Sequence, residues 1–239
     1  HLGPNGDQKY PVVYLLDGFS LQNTLETVYN NYWGHYLPHM ILVGISNKNN
    51  RTKDLTTSQV KIRRGSTMDT ETGGAEKFTQ FIEKELIPYI DNTYPTTPYR
   101  TIIGHSYAGL FTINMLVNHG HIFQNYLAID PSMDWDNQKL LKQAKEKFKT
   151  TNYKGKSLFV SLAAEMLHMQ NEKITIDNIM EDSSEYTLFA RSIIDFSNYA
   201  ATQKQNGLNF SWKVYPEDLH GTVPLPSIRD GLIFLFKWY

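Results

Sequence analysis

TIIGHSYAGLF, residues 101–111, sets one serine among small residues directly after a β-branched apolar run. The run RTIIG (100–104) reads as a strand and 107–118 as a helix, so Gly104 to Ala108 falls on a strand-to-helix turn. Such a turn holds a serine in strained backbone with its hydroxyl exposed. The flanking residues must be small because strand and helix approach closely there. Here the later small position is Ala108, followed by Gly109; alanine adds one methyl to the strict glycine pattern. Ser106 could simply cap the helix, but its neighbourhood favours a nucleophile.

Outward from that turn, short apolar runs alternate with longer helical patterns. YPVVYLLD (10–17), MILVGIS (40–46), RTIIG, NYLAID (125–130), SLFVSLAA (157–164) and NFSWKVYP (209–216) read as strands. Several are almost continuously apolar, as strands covered on both faces are. Helical patterns occupy 75–91, 107–118, 136–149, 184–205 and 225–238. This alternation predicts an α/β fold, with a mostly parallel central sheet and helices on both faces. No repeat or linker divides the 239 residues, so 1–239 is read as one domain. The polar stretch 47–74 shows neither period, and loops of that length are often functional.

Bulk composition removes several classes of partner. Lys+Arg total 23 and Asp+Glu 24, so no global charge argues for nucleic acid or an anionic membrane. No apolar run nears the length of a membrane span, and no signal-peptide pattern opens the sequence. There are no cysteines, which excludes thiol catalysis and thiolate metal sites but leaves cytoplasm and periplasm both open. A small-molecule substrate is the expected partner.

A serine hydroxyl needs a base to take its proton and a third group to orient that base. Of eight histidines, His220 stands in YPEDLHGTVPL, after the last predicted strand and before the last helix. The carboxyl ends of parallel strands gather site loops there. His35 and His39 have ligand-like spacing, but Pro38 breaks the helix that would align them, so no metal is expected. The acid is expected after the preceding strand, at Glu165, with Glu172, Asp177 or no acid as open alternatives and His168 as a candidate substrate contact. The order Ser, acid, His is that of α/β hydrolases. Oxyanion donors are expected from the backbone N–H of Tyr107 and, after LLDGFS, of Phe19, with Gly18 allowing close substrate approach. Trp135 in PSMDWDN could form an aromatic wall. Arg51, with Lys53, Arg63 and Arg64, makes the 47–74 loop basic enough to suit an anionic substrate. No cofactor is required.

YPVVYLLDG, VGIS, RTKDLT, a GG ahead of FIEKELIPYID, GHSYAGLF, IDPSMDWDN and HGTVPL occur in one order along the chain. Together they resemble the putative-esterase family of α/β hydrolases, which includes esterase D, feruloyl and acetylxylan esterases, mycolyltransferases and catecholate-siderophore esterases. RTKDLT and GHSYAGLF are most similar to the bacterial siderophore-esterase-like branch, whose usual GHSYGGL is altered at Ala108. The resemblance implies Ser106 as nucleophile, His220 as base and Glu165 as acid in a serine esterase acting on an aromatic or siderophore-like ester. Carbohydrate acetyl or feruloyl esterase, acyltransferase and non-catalytic ligand-binding module are the alternatives. It also implies antiparallel strands before residue 10, which with only nine residues there are expected to be shortened or missing. An additional domain or partner segment at the termini is therefore an expectation.

Overall fold

The structure, a computed structural model, describes residues 8–165, 174–237 and 239. The apolar runs form strands β1 (Tyr10–Leu15), β2 (Ile41–Gly44), β5 (Thr96–His105), β6 (Asn125–Ile129), β7 (Ser157–Ala163) and β8 (Asn209–Tyr215). They pair in the order β2-β1-β5-β6-β7-β8, every pair parallel. A parallel sheet needs a crossover between neighbouring strands, and the helices supply it.

Alternate residues of each strand face opposite layers, and both layers are dry. Val13, Leu15, Ile103, Leu127 and Ile129 pack with Leu21, Leu25 and Val28 of α1 (Gly18–Tyr32) and with Ile228 and Leu232 of α8 (Pro224–Phe236). Val12, Tyr14, Ile102, Tyr126 and Val160 meet the other face. That layer is built by α3 (Ala75–Phe81), α4 (Ile87–Thr93), α5 (Tyr107–His119), α6 (Trp135–Thr150) and α7 (Leu188–Thr202). Two-sided burial is why β1, β6 and β7 carry apolar residues at nearly every position, whereas the partly exposed edge strand β8, NFSWKVY, alternates.

The sequence pattern gave no helix over 18–32. Leu21, Leu25 and Val28 keep helical spacing there, but the Asn and Thr residues between them dilute the apolar signal; the α1 helix is held by burial of that stripe. The 47–74 stretch is also structured. It contains a 3₁₀ turn at Lys48–Asn50, a short α2 (Arg51–Leu55) and an antiparallel hairpin of β3 (Ile62–Arg63) and β4 (Ser66–Thr67). Arg64 and Gly65 at its tip both have positive φ, 49° and 76°, as a type I′ hairpin turn requires. Among the described residues no helix is long and apolar enough to cross a membrane.

Candidate active site

Three neighbouring strands, β1, β5 and β6, each run into a residue with left-handed backbone at their carboxyl ends: Asp17 (φ 55°), Ser106 (φ 63°) and Asp130 (φ 42°). Positive φ is costly for residues other than glycine and persists only where the surroundings enforce it. At Ser106 the enforcement is visible. Its ψ is −117°, its N–H donates to the Ile129 carbonyl at 3.0 Å, and its own carbonyl accepts from Leu110 and Ser132 amides at 3.0 and 3.1 Å. A Cβ on Gly104 would lie 2.2 Å from the Ala108 carbonyl oxygen, so only glycine fits at that position. Ala108 itself is accommodated in full burial. The next glycine is also tight, since a Cβ on Gly109 would lie 3.0 Å from Pro131.

The carboxylate that meets the His220 ring is Asp130, whose Oδ2 lies 2.6 Å from Nδ1. Glu165, the acid expected from the sequence, is not that partner: it sits beyond the end of β7, where its N–H donates to the Asp218 carbonyl. Strand order explains the correction. β6 is the immediate neighbour of β5, the strand that leads into Ser106, whereas β7 lies one strand further out. Asp130 is fixed by its own N–H donating to Ser161 and by its Oδ1 accepting from the Ala163 amide at 3.1 Å. Asp177 is exposed in a turn, and Glu172 and His168 lie outside the described residues. The signal for Asp130 was present in the sequence, as the aspartate that closes NYLAID.

Burial pushes the Asp130 carboxyl above its ordinary value, against the pull of the His220 ring and the Ala163 amide. The His220 ring lies 4.4 Å from that of His105, tilted 40°. Burial, reinforced by His220, pushes the His105 pKa down to about 3, so this neighbour carries no charge at neutral pH.

Ser106, Asp130 and His220 line one cavity of about 1080 Å³. Among the described residues Ser106 makes no side-chain hydrogen bond with His220; catalytic contacts of this kind often close only when substrate binds. The hairpin residues Ile62, Arg63 and Arg64 form one wall, and Glu185, Tyr186, Phe189 and Ala190 another. Arg63 donates to both Asp134 oxygens at 3.0 Å and to the Tyr107 hydroxyl, while Arg64 donates to Asp134 at 2.9 Å. The Arg64 guanidinium also stands over the Phe189 ring at 5.7 Å. Among the described residues no group of three or more His, Asp and Glu could hold a metal ion.

The other expected site residues fall into different places. Trp135 is not a cavity wall: it is 1% exposed, its indole N–H donates to the Ser58 carbonyl, and its ring packs edge-on against Tyr107. Gly18 makes its close approach to protein rather than to substrate, since a Cβ there would sit 2.8 Å from the Gly44–Ile45 backbone. The left-handed backbone at this turn belongs to Asp17, at φ 55°. Arg51 is directed at Asp17, with 2.6 and 2.8 Å contacts to its two oxygens. Phe19 turns its side chain into solvent at 95% exposure. Phe19 and Tyr107 occupy the first turns of α1 and α5, where helical N–H groups lack intrahelical acceptors.

The chain matches the family model described as "Putative esterase" over residues 2–205. It is 31% identical over 188 residues to the ferri-bacillibactin esterase BesA of Bacillus subtilis, covering 72% of this chain and 65% of that protein. A siderophore enterobactin esterase of Emericella nidulans is 27% identical over 179 residues, covering 68% and 56%. The chain thus spans less than two thirds of the length of these curated relatives. The solved structure of an IroE-like serine hydrolase from Shewanella oneidensis superposes with a TM-score of 0.82 at 30% identity, over 98% of this chain and 73% of that one. The siderophore hydrolase EstA of Aspergillus nidulans, at 21% identity, shares the fold with a TM-score of 0.79 over 98% of this chain and 85% of that one.

Proposed function

Because the chain belongs to the putative-esterase family of α/β hydrolases, we propose that it is a serine carboxylic-ester hydrolase that cleaves aromatic or siderophore-like esters through an acyl-enzyme. One observation carries this reading: a histidine held at 2.6 Å by a buried aspartate lines the same cavity as a serine in strained turn backbone.

In the reaction, His220 takes the Ser106 proton on Nε2 as Oγ attacks the ester carbonyl carbon, and Asp130 steadies the resulting imidazolium through Nδ1. The Tyr107 and Phe19 amides face the developing oxyanion. The imidazolium gives its proton to the leaving alkoxide as the ester C–O bond breaks. Water, deprotonated by His220, then releases the acid and frees Ser106.

Cavity size and lining support the substrate class. About 1080 Å³ with Tyr107, Tyr186 and Phe189 at its walls is room for aromatic acyl or alcohol groups. Arg63 and Arg64 share one carboxylate, Asp134, and so keep donors for an anionic substrate; Glu185 moderates the charge of the opposite wall. The names of the two curated relatives, both siderophore esterases, point the same way.

The test is hydrolysis of ferric catecholate triesters beside p-nitrophenyl acyl esters and feruloyl esters, with fluorophosphonate labelling of the wild type and Ser106→Ala. Turnover of the catecholate triesters and of the simple esters, both lost by about 10⁴-fold or more in Ser106→Ala, is expected. A folded wild type inert to the probe would sink the enzyme reading.

A further inference from the structure

The ladder between β1 and β5 ends before the site does. Leu15 pairs with Ile103, and the Leu16 N–H donates to the Ile103 carbonyl at 2.9 Å. Continued by two residues on each strand, that register sets Asp17 beside His105, one residue before Ser106 and two before Phe19. Asp17 there leaves β geometry at φ 55° and ψ 35°, and Ser106 does so at φ 63°. No ladder hydrogen bond can join two chains that have both turned away. One guanidinium does so instead. Arg51 Nε donates to Asp17 Oδ1 at 2.6 Å, one Nη donates to Asp17 Oδ2 at 2.8 Å and to the His105 carbonyl at 3.3 Å, and the guanidinium carbon stands 5.6 Å from the Tyr107 ring centroid.

We infer that Arg51 is a positioning residue for the oxyanion site, a clamp that fixes the Phe19 amide loop against the Tyr107 amide turn. This deepens the esterase reading and rests on it. A planar fork suits this task, because two parallel hydrogen bonds fix the orientation of the carboxylate as well as its distance. Asp17 is 11% exposed and Arg51 36% exposed as side chains, so the pair is partly shielded from water. With both Asp17 oxygens and the His105 carbonyl as acceptors, Arg51 commits Nε and one Nη to protein groups, and it is not among the residues that line the cavity. Oxyanion donors act through preorganisation, and displacing a group by about 1 Å can cost about 100-fold in rate.

The experiment uses p-nitrophenyl acetate, a neutral ester on which an anion-binding arginine would have no effect. Arg51→Met and Asp17→Asn are each expected to lower kcat by roughly 10- to 100-fold with KM changed less than about threefold. Fluorophosphonate labelling should slow by the same factor. The double variant should be no worse than the poorer single one, because both break one clamp. Arg51→Lys keeps the charge without the fork and should lose kcat as well; it also serves if Arg51→Met fails to fold. Circular dichroism and thermal melts confirm folding of each variant. A wild-type kcat in folded Arg51→Lys or Arg51→Met overturns the inference, as does a loss confined to KM. Ser106→Ala separates the two levels. If it abolishes turnover while the Arg51 variants keep theirs, the clamp alone fails; if it hydrolyses the ester like wild type, the esterase reading itself fails.

Discussion

The turn at Gly104–Gly109 and the excursion at 48–74 both border the cavity, and they are held by different forces. At the turn, backbone hydrogen bonds to the Ile129 carbonyl and from the Leu110 and Ser132 amides fix Ser106, and the absence of a side chain at Gly104 permits the close approach of strand and helix. The excursion is seated on the core by Leu55, with Val60 and Met68 packed beside it, and is tied across the site by charge, Arg51 to Asp17 and Arg63 and Arg64 to Asp134, with Lys53 paired to Glu71 inside it. Part of the first kind of order is local, since the Leu110 bond and the Gly104–Ala108 contact lie within five residues, whereas Ile129 and Ser132 belong to the end of the neighbouring strand. The second depends on partners 18 to 71 residues away, and side-chain charge alone does not say which partner is chosen.

The contrast is sharpest at the acid. If strand order rather than sequence proximity to the last strand decides which carboxylate serves His220, Asp130→Asn should lower kcat by about 10⁴-fold, the size expected when the orienting carboxylate of a serine triad is neutralised. Glu165→Gln should stay within about twofold of wild type, because among the described residues its backbone N–H, not its carboxylate, makes a hydrogen bond. Steady-state hydrolysis of p-nitrophenyl acetate decides it, and equal losses in the two variants would dissolve the distinction.

On the side of the excursion, Asp134→Ala is the break with the largest expected effect on stability. Asp134 is 3% exposed and is shared by two arginines, one of them, Arg63, also largely buried. Removing it leaves an uncompensated charge beside Tyr107 and Trp135, at a cost of about 3 kcal/mol. Arg64→Ala removes a half-exposed arginine and should cost less than about 1 kcal/mol. Urea denaturation measures both, and a difference near zero would mean that the hairpin is held by packing instead.

Legibility in the sequence divides along the same line. The inner strands β1, β6 and β7 could be read because burial on both faces writes an almost unbroken apolar run. The partly exposed edge strand β8 could be read because NFSWKVY is rich in aromatic and β-branched residues, and Ser106 because a strained turn restricts its neighbours within five residues. The α1 helix could not, since its buried stripe of Leu21, Leu25 and Val28 is diluted by polar residues. Glu165 is read in place of Asp130 as the carboxylate beside His220 because two strand ends lie between Ser106 and His220 in the chain, and the structure brings the first of them to the ring. Trp135 read as a pocket wall because an aromatic residue near a strand end has two destinations. The structure places it in the core beneath Arg63, whose guanidinium lies 5.2 Å from its ring centroid. Arg51 reads as a cation for an anionic substrate because its partner Asp17 stands 34 residues earlier.

His105 tests how far the packed turn resists solvent. Burial holds its pKa at about 3, below its ordinary value of 6.5. The unfolded chain therefore binds a proton that the folded chain refuses between about pH 6.5 and pH 3. Stability from this residue is complete above pH 6.5 and falls on acidification, by about 1 kcal/mol per pH unit. Asp130 has the opposite sign: burial raises its carboxyl, so the folded state takes up its proton first and acidification favours the fold there. In Asp130→Asn the acid-side loss of stability should therefore steepen. In His105→Phe, which keeps a flat ring against His220, it should flatten. Urea midpoints between pH 4 and pH 7 measure these slopes, and a His105→Phe slope equal to wild type would mean that the His105 ring is already protonated, or hydrated, inside the folded turn.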